Sequence, residues 1–128
     1  MRLLLDTHIA LWAVTDSPRL STAARELITN SGNEIWVSAA TVWEIAIKHT
    51  LRREAMPVSG PEARHWFSVS GYRDLNITSE HAVAVGALPA IHGDPFDRLL
   101  IAQARTEPLR LLTHDELLSR YSEVVILV

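Results

Sequence analysis

Short apolar runs alternate along this chain with longer stretches whose apolar residues recur at helical spacing. Arg2–Leu5 suits a strand, and Thr7–Val14 follows as a short helix containing Trp12. Ser21–Asn30 predicts a second helix, with Ser21 as N-cap and Ala24, Leu27 and Ile28 as its apolar stripe. Gly32-Asn33 then turns into a second strand, Glu34–Ser38. Ala39–Leu51 is apolar almost all round, the pattern of a buried helix. Pro57, Gly60 and Pro61 punctuate a loop before a helix over Glu62–Ser70. Tyr72–Ile77 alternates as a strand does, and the Ala-rich Ser79–Leu88 predicts another helix. The loop Pro89–Asp94 leads to a helix from Pro95 to about Arg105, and Leu109–Thr113, a short helix and Val124–Val128 complete the chain. Strands separated by helices predict an α/β fold with a largely parallel sheet. With no internal repeat or low-complexity stretch, residues 1–128 read as one domain.

Composition narrows the chemistry. At 48% hydrophobic and 21% charged residues the chain is globular rather than disordered. No apolar run approaches the roughly 20 residues that span a bilayer, and the first strand lacks the features of a signal peptide, so the expected location is cytoplasmic. The absence of cysteine excludes disulfide, thiolate-zinc and thiol-nucleophile chemistry. A formal net charge of -3 gives no overall electrostatic case for nucleic-acid binding, although clustered acids would mask a local basic patch.

Four acids stand out by position. Asp6 closes the first apolar run, Asp115 follows Leu109–Thr113, Glu44 lies in the helix after the second strand, and Asp97 opens the helix Phe96–Ala104. In open α/β sheets ligands bind beyond the carboxyl ends of the strands. Each acid also has a plain structural explanation. Asp6-Thr7 suits a helix start; Thr41 to Glu44 and Thr113 to Glu116 match capping boxes; Asp94-Pro95-Phe96-Asp97 puts Asp94 at an N-cap. Two observations favour the functional explanation. Glu44 is the one charge in Val37–Ile47, where an unpaired carboxylate costs several kcal/mol; a pair with Lys48, four residues on, does not account for those apolar neighbours. Four acids at comparable topological positions are also a poor match for four unrelated caps. Converging carboxylates repel one another, and a divalent cation removes that repulsion. Oxygen ligands favour Mg²⁺ or Mn²⁺ over zinc, and the six histidines form no HxxxH pair. Two ions about 3.5–4 Å apart would serve phosphodiester cleavage; one ion or two stays open from sequence.

The ordered set of segments resembles the PIN-domain ribonucleases, most closely the VapC toxins of bacterial toxin–antitoxin pairs. The segments are Leu-Leu-Leu-Asp6-Thr-His, Val-Ser38-Ala-Ala-Thr-Val-Trp-Glu44-Ile-Ala-Ile-Lys48, His92-Gly-Asp94-Pro-Phe-Asp97-Arg-Leu-Leu-Ile-Ala-Gln-Ala104 and Leu-Leu-Thr113-His-Asp115. The resemblance implies a PIN-like three-layer fold and an endoribonuclease with Asp6, Glu44, Asp97 and Asp115 around Mg²⁺ or Mn²⁺. It makes Thr7 and Thr113 supporting hydroxyls, and Asp94 a cap rather than a ligand. It also implies a homodimer and a VapB-like antitoxin lying in an apolar groove, for which Trp12 and Trp43 are candidates beside the alternative that both are core. Lys48, Arg52, Arg53, Arg98 and Arg105 are candidates for RNA phosphate contacts. The departure from the pattern is Arg52–Ser59, where a glycine is expected soon after Lys48.

Rival readings fare worse. His114-Asp115 is the dipeptide of helical metal phosphohydrolases but here follows a strand, and an aspartyl-phosphate phosphatase wants an acid where His8 stands. The alternative outside enzymes is a non-catalytic PIN-like scaffold that binds protein or RNA.

Overall fold

The computed structural model describes residues 1–121 and 123–128. Five strands alternate with helices: β1 (Arg2–Leu5), α1 (Thr7–Val14), α2 (Thr22–Thr29), β2 (Glu34–Ser38), α3 (Ala39–Leu51), α4 (Gly60–Val69), β3 (Arg73–Leu75), α5 (Ser79–Val85), α6 (Pro95–Thr106), β4 (Arg110–Thr113), a 3₁₀ turn (Leu118–Arg120) and β5 (Val125–Leu127). The strands form one parallel sheet in the order β3-β2-β1-β4-β5. The chain winds outward from β1 to β3 on one side, then returns to lay β4 and β5 on the other. β1 and β4 therefore flank the point where the strand order reverses, where α/β sheets open a crevice.

Both faces of the sheet are covered, which explains its uninterrupted apolar runs. Successive residues of β1 serve opposite sides: Leu3 and Leu5 pack with α1, α2 and α4, whereas Leu4 packs with α6. In β4, Leu112 joins the first cluster and Leu111 the second. The result is the α/β fold with a parallel sheet that the pattern predicts, arranged in the three layers that the resemblance implies.

Several boundaries differ from the sequence expectation. β3 spans three residues rather than Tyr72–Ile77, because it is an edge strand paired on one side. α4 starts earlier, at Gly60, capped by Ser59 in a reciprocal box with Glu62. Glycine lets α4 approach α3 closely there, since a Cβ would sit 3.2 Å from that of Ala46, tighter than an ordinary contact. α5 ends at Val85, three residues short of Leu88. α3 has the expected limits but not the expected environment. It lies on the sheet by one face, burying Ala40, Thr41, Glu44 and Ile45, and leaves Trp43 and Leu51 largely exposed.

Candidate metal centre

The carboxyl ends of β1 and β4, the second turn of α3 and the first turn of α6 meet at one cleft of about 200 Å³. Asp6, Thr7, His8, Trp12, Glu44, Lys48, Asp94, Asp97, His114 and Asp115 line it. All four acids singled out by position are therefore brought together.

Asp6 is buried. It caps α1 through Oδ1, which accepts the His8 N–H at 3.0 Å, so the cap expected there exists. Its other oxygen accepts from the Thr113 hydroxyl at 2.6 Å. That hydroxyl in turn accepts the Asp115 N–H at 3.0 Å, joining the ends of β1 and β4. Burial raises the Asp6 pKa, and these hydrogen bonds offset the rise only in part.

Glu44 is equally enclosed. Thr7 donates to its Oε1 at 2.7 Å, and Lys48 approaches its Oε2 at 2.5 Å. The expected capping box with Thr41 does not form, because α3 begins earlier: Ser38 is its N-cap, accepting the Ala40 N–H at 2.9 Å. The Thr41 hydroxyl instead faces that of Thr7 at 3.2 Å. The box between Thr113 and Glu116 is absent too, for Thr113 is committed to Asp6 and no α-helix starts there. Burial disfavours the charge on Lys48, but Glu44, Asp94 and Asp97 outweigh it and raise its pKa.

At the head of α6, Asp94 is the N-cap, with Oδ1 accepting the Asp97 N–H at 3.0 Å and Pro95 in the first turn. The Asp97 carboxyl is thereby left to face the cleft, where burial, then Asp6 and Asp94, lift its pKa to about 7. Asp115 is the most exposed of the four, and its Oδ1 accepts the Leu117 N–H at 2.9 Å. His92, unremarked as a site residue in the sequence, reaches in from the loop before α6. Its Nε2 lies 3.2 Å from Asp97 Oδ2 and 3.4 Å from Asp115 Oδ2.

The donor set facing the cleft is dominated by carboxylate oxygen, which fits a hard divalent cation. Two of the carboxylates sit in buried surroundings where uncompensated charge is costly, and a cation would supply the compensation.

The candidates for phosphate contact are placed unequally. Lys48 is at the cleft but paired with Glu44, while Arg52 and Arg53 are exposed at the end of α3, where Arg52 lines a neighbouring hollow with His8, Lys48, Leu51, Ala55 and Met56. Arg98 departs from the expectation: its guanidinium donates to the carbonyls of Val85, Pro89 and His92, so it braces a loop. Arg105 pairs with Glu123. The two tryptophans do not share a groove. Half-buried Trp12 lies at the cleft between His8 and His114, each ring 5.7 Å away, whereas Trp43 is over half exposed, packs edge-on against Phe96 and lines a separate hollow.

The profile of the PIN domain family matches residues 3–124. Ribonuclease VapC22 of Mycobacterium tuberculosis is 34% identical over 115 residues, covering 88% of this chain and 85% of its own. Among solved structures, VapBC2 of Rickettsia felis, bound to a DNA fragment from its promoter, superposes with a TM-score of 0.67 at 16% identity, covering 100% of this chain and 98% of that one. A toxin–antitoxin complex of Klebsiella pneumoniae superposes with a TM-score of 0.66 at 20% identity, covering 97% and 95%. At these identities the structural matches speak for the fold.

Proposed function

This chain belongs to the PIN-domain family, and on that premise we propose that it is a metal-dependent endoribonuclease of the VapC type. The observation that carries the proposal is the meeting, in one cleft, of Asp6, Glu44, Asp97 and Asp115 from four separate parts of the chain. These acids would hold one or two Mg²⁺ or Mn²⁺ ions, which when bound activate water and stabilise the leaving oxygen of a phosphodiester. The residues of the chain prepare the site for that role. Thr113 and Thr7 fix the carboxylates of Asp6 and Glu44, and Lys48 balances the charge of Glu44 beside the space an RNA phosphate would occupy. Arg52, which shares the neighbouring hollow with Lys48, and the exposed Arg53 remain candidates for phosphate contact.

The partner in this reading is a VapB-like antitoxin, supported by relatives whose structures are toxin–antitoxin complexes. Homodimerisation and a cytoplasmic location belong to the same reading. Among the described residues no helix is long and apolar enough to cross a membrane.

The test is cleavage of mixed cellular RNA by the purified chain in Mg²⁺, Mn²⁺ or EDTA. Discrete fragments that require the metal support the nuclease. RNA binding without metal-dependent cleavage, by protein freed of any co-purified antitoxin, overturns it in favour of a non-catalytic scaffold.

A further inference from the structure

By distance alone, His92, Asp97 and Asp115 pass for a ligand set, since one donor atom of each lies within 4.8 Å of the others. The hydrogen bonding of the imidazole says otherwise. His92 Nδ1 accepts the backbone N–H of Asp94 at 3.1 Å, so that nitrogen carries a lone pair and no proton. The tautomer of a histidine is set by the bond its other nitrogen makes, which here puts the proton on Nε2, the atom facing Asp97 and Asp115. An Nε2–H cannot bind a cation. It can donate, and Asp115 Oδ2 lies 3.4 Å away in hydrogen-bond geometry, with Asp97 Oδ2 at 3.2 Å.

We propose that His92 is a positioning residue that donates from Nε2 to the Asp115 carboxylate, orienting it beside Asp97 without ligating the metal. The proposal rests on the metal-centre reading above and adds a residue to it. The loop that presents His92 is built for a fixed position. Arg98, the residue after Asp97, grips its carbonyls at Pro89 and His92, and Tyr121 donates to Pro89 at 2.9 Å. The helix that carries Asp97 thus also braces the residue that orients Asp115. Ligating carboxylates are ordinarily oriented by hydrogen-bond donors of this kind, and removing one typically costs 10–100-fold in metal affinity.

Two measurements on the full chain test this, both without RNA. In metal-free protein at pH 8, long-range ¹H–¹⁵N NMR of the imidazoles should show His92 protonated at Nε2 alone; an Nδ1–H tautomer overturns the proposal. Mn²⁺ binding by calorimetry should weaken at least about 10-fold in His92→Ala. It should stay within about 3-fold of wild type in His92→Gln, whose amide carries an N–H near the Nε2 position. Equal losses in both variants would make His92 a ligand, and no loss in His92→Ala would make it a bystander; either result overturns the proposal. RNA cleavage is read separately, so a protein that binds Mn²⁺ as described but cuts nothing would overturn the nuclease and leave His92 in place.

Discussion

Asp97 shows most directly how one residue is set by its surroundings. Its pKa in the folded chain, about 7, lies far above the ordinary value of 3.8 because burial and the neighbouring Asp6 and Asp94 penalise its charge. The folded metal-free protein therefore holds a proton that the unfolded chain has lost, and stability falls as pH rises from about 4 to about 7. Asp97→Asn removes that penalty. Thermal denaturation without metal should show the variant more stable than wild type at pH 8, with the gain vanishing by pH 3.5; an unchanged midpoint at pH 8 would refute the crowding of charge at this site. Asp94 has a different part. Asp94→Ala deletes the cap of α6 and should cost about 1 kcal/mol in urea denaturation while leaving most metal-dependent cleavage intact. At this scale the sequence was partly legible. The caps at Asp6, Ser21 and Asp94 follow from local rules, and the structure contains all three. The capping boxes at Thr41 and Thr113 satisfy the same rules and do not form: Thr41 lies inside a helix that Ser38 caps, and Thr113 donates to Asp6. Nothing local in the sequence marks His92, whose acceptor is a carboxylate 23 residues away.

Elements are joined around the site by two polar networks. In the first, Ser38, the cap of α3, donates to Gln103 of α6 at 2.6 Å; Gln103 approaches His81 of α5 at 3.3 Å, and His81 meets Glu107 at 2.6 Å. Ser38, Gln103 and His81 are all fully buried, so this chain locks the helix bearing Glu44 to the helix bearing Asp97. Gln103→Leu would leave Ser38 without its acceptor and should cost about 2 kcal/mol in urea denaturation. In the second, Arg98 ties α6 to the Val85–His92 segment. Arg98→Ala should speed amide exchange in the loop over residues 89–94 and lower metal affinity through His92, with exchange in the sheet unchanged. Phosphate-contact variants would not show that local pattern. Element type was legible because helical and strand periodicities differ; element ends were not, as the short edge strand β3 and early-starting α4 show. A helix apolar almost all round predicts burial on every side, yet α3 exposes Trp43 and Leu51.

Over the whole molecule, topology makes the site. Alternating strands and helices imply a parallel sheet, but nothing local in the sequence states that β1 sits between β2 and β4. That order puts Asp6 at the centre, Asp115 on one side and the α3 acid on the other. The acids are legible as a set because each closely follows a strand or lies in the first two turns of a helix. The net charge of -3 is compatible with the proposed activity, since four of the acids are gathered in one cleft, where a bound cation would offset their charge. Saturating Mg²⁺ or Mn²⁺ should accordingly raise the thermal midpoint of the wild type and flatten its fall between pH 4 and 7.

If Asp6, Glu44, Asp97 and Asp115 act as one catalytic unit, the cleavage rates of acid-to-amide variants will show it. Residues acting together are strongly non-additive. Asp6→Asn, Glu44→Gln, Asp97→Asn and Asp115→Asn should each abolish most Mg²⁺-dependent RNA cleavage, and the Asp6→Asn/Asp97→Asn double variant should be little worse than either single. Losses that simply multiply, or full activity in any one of the four, would contradict a single shared site.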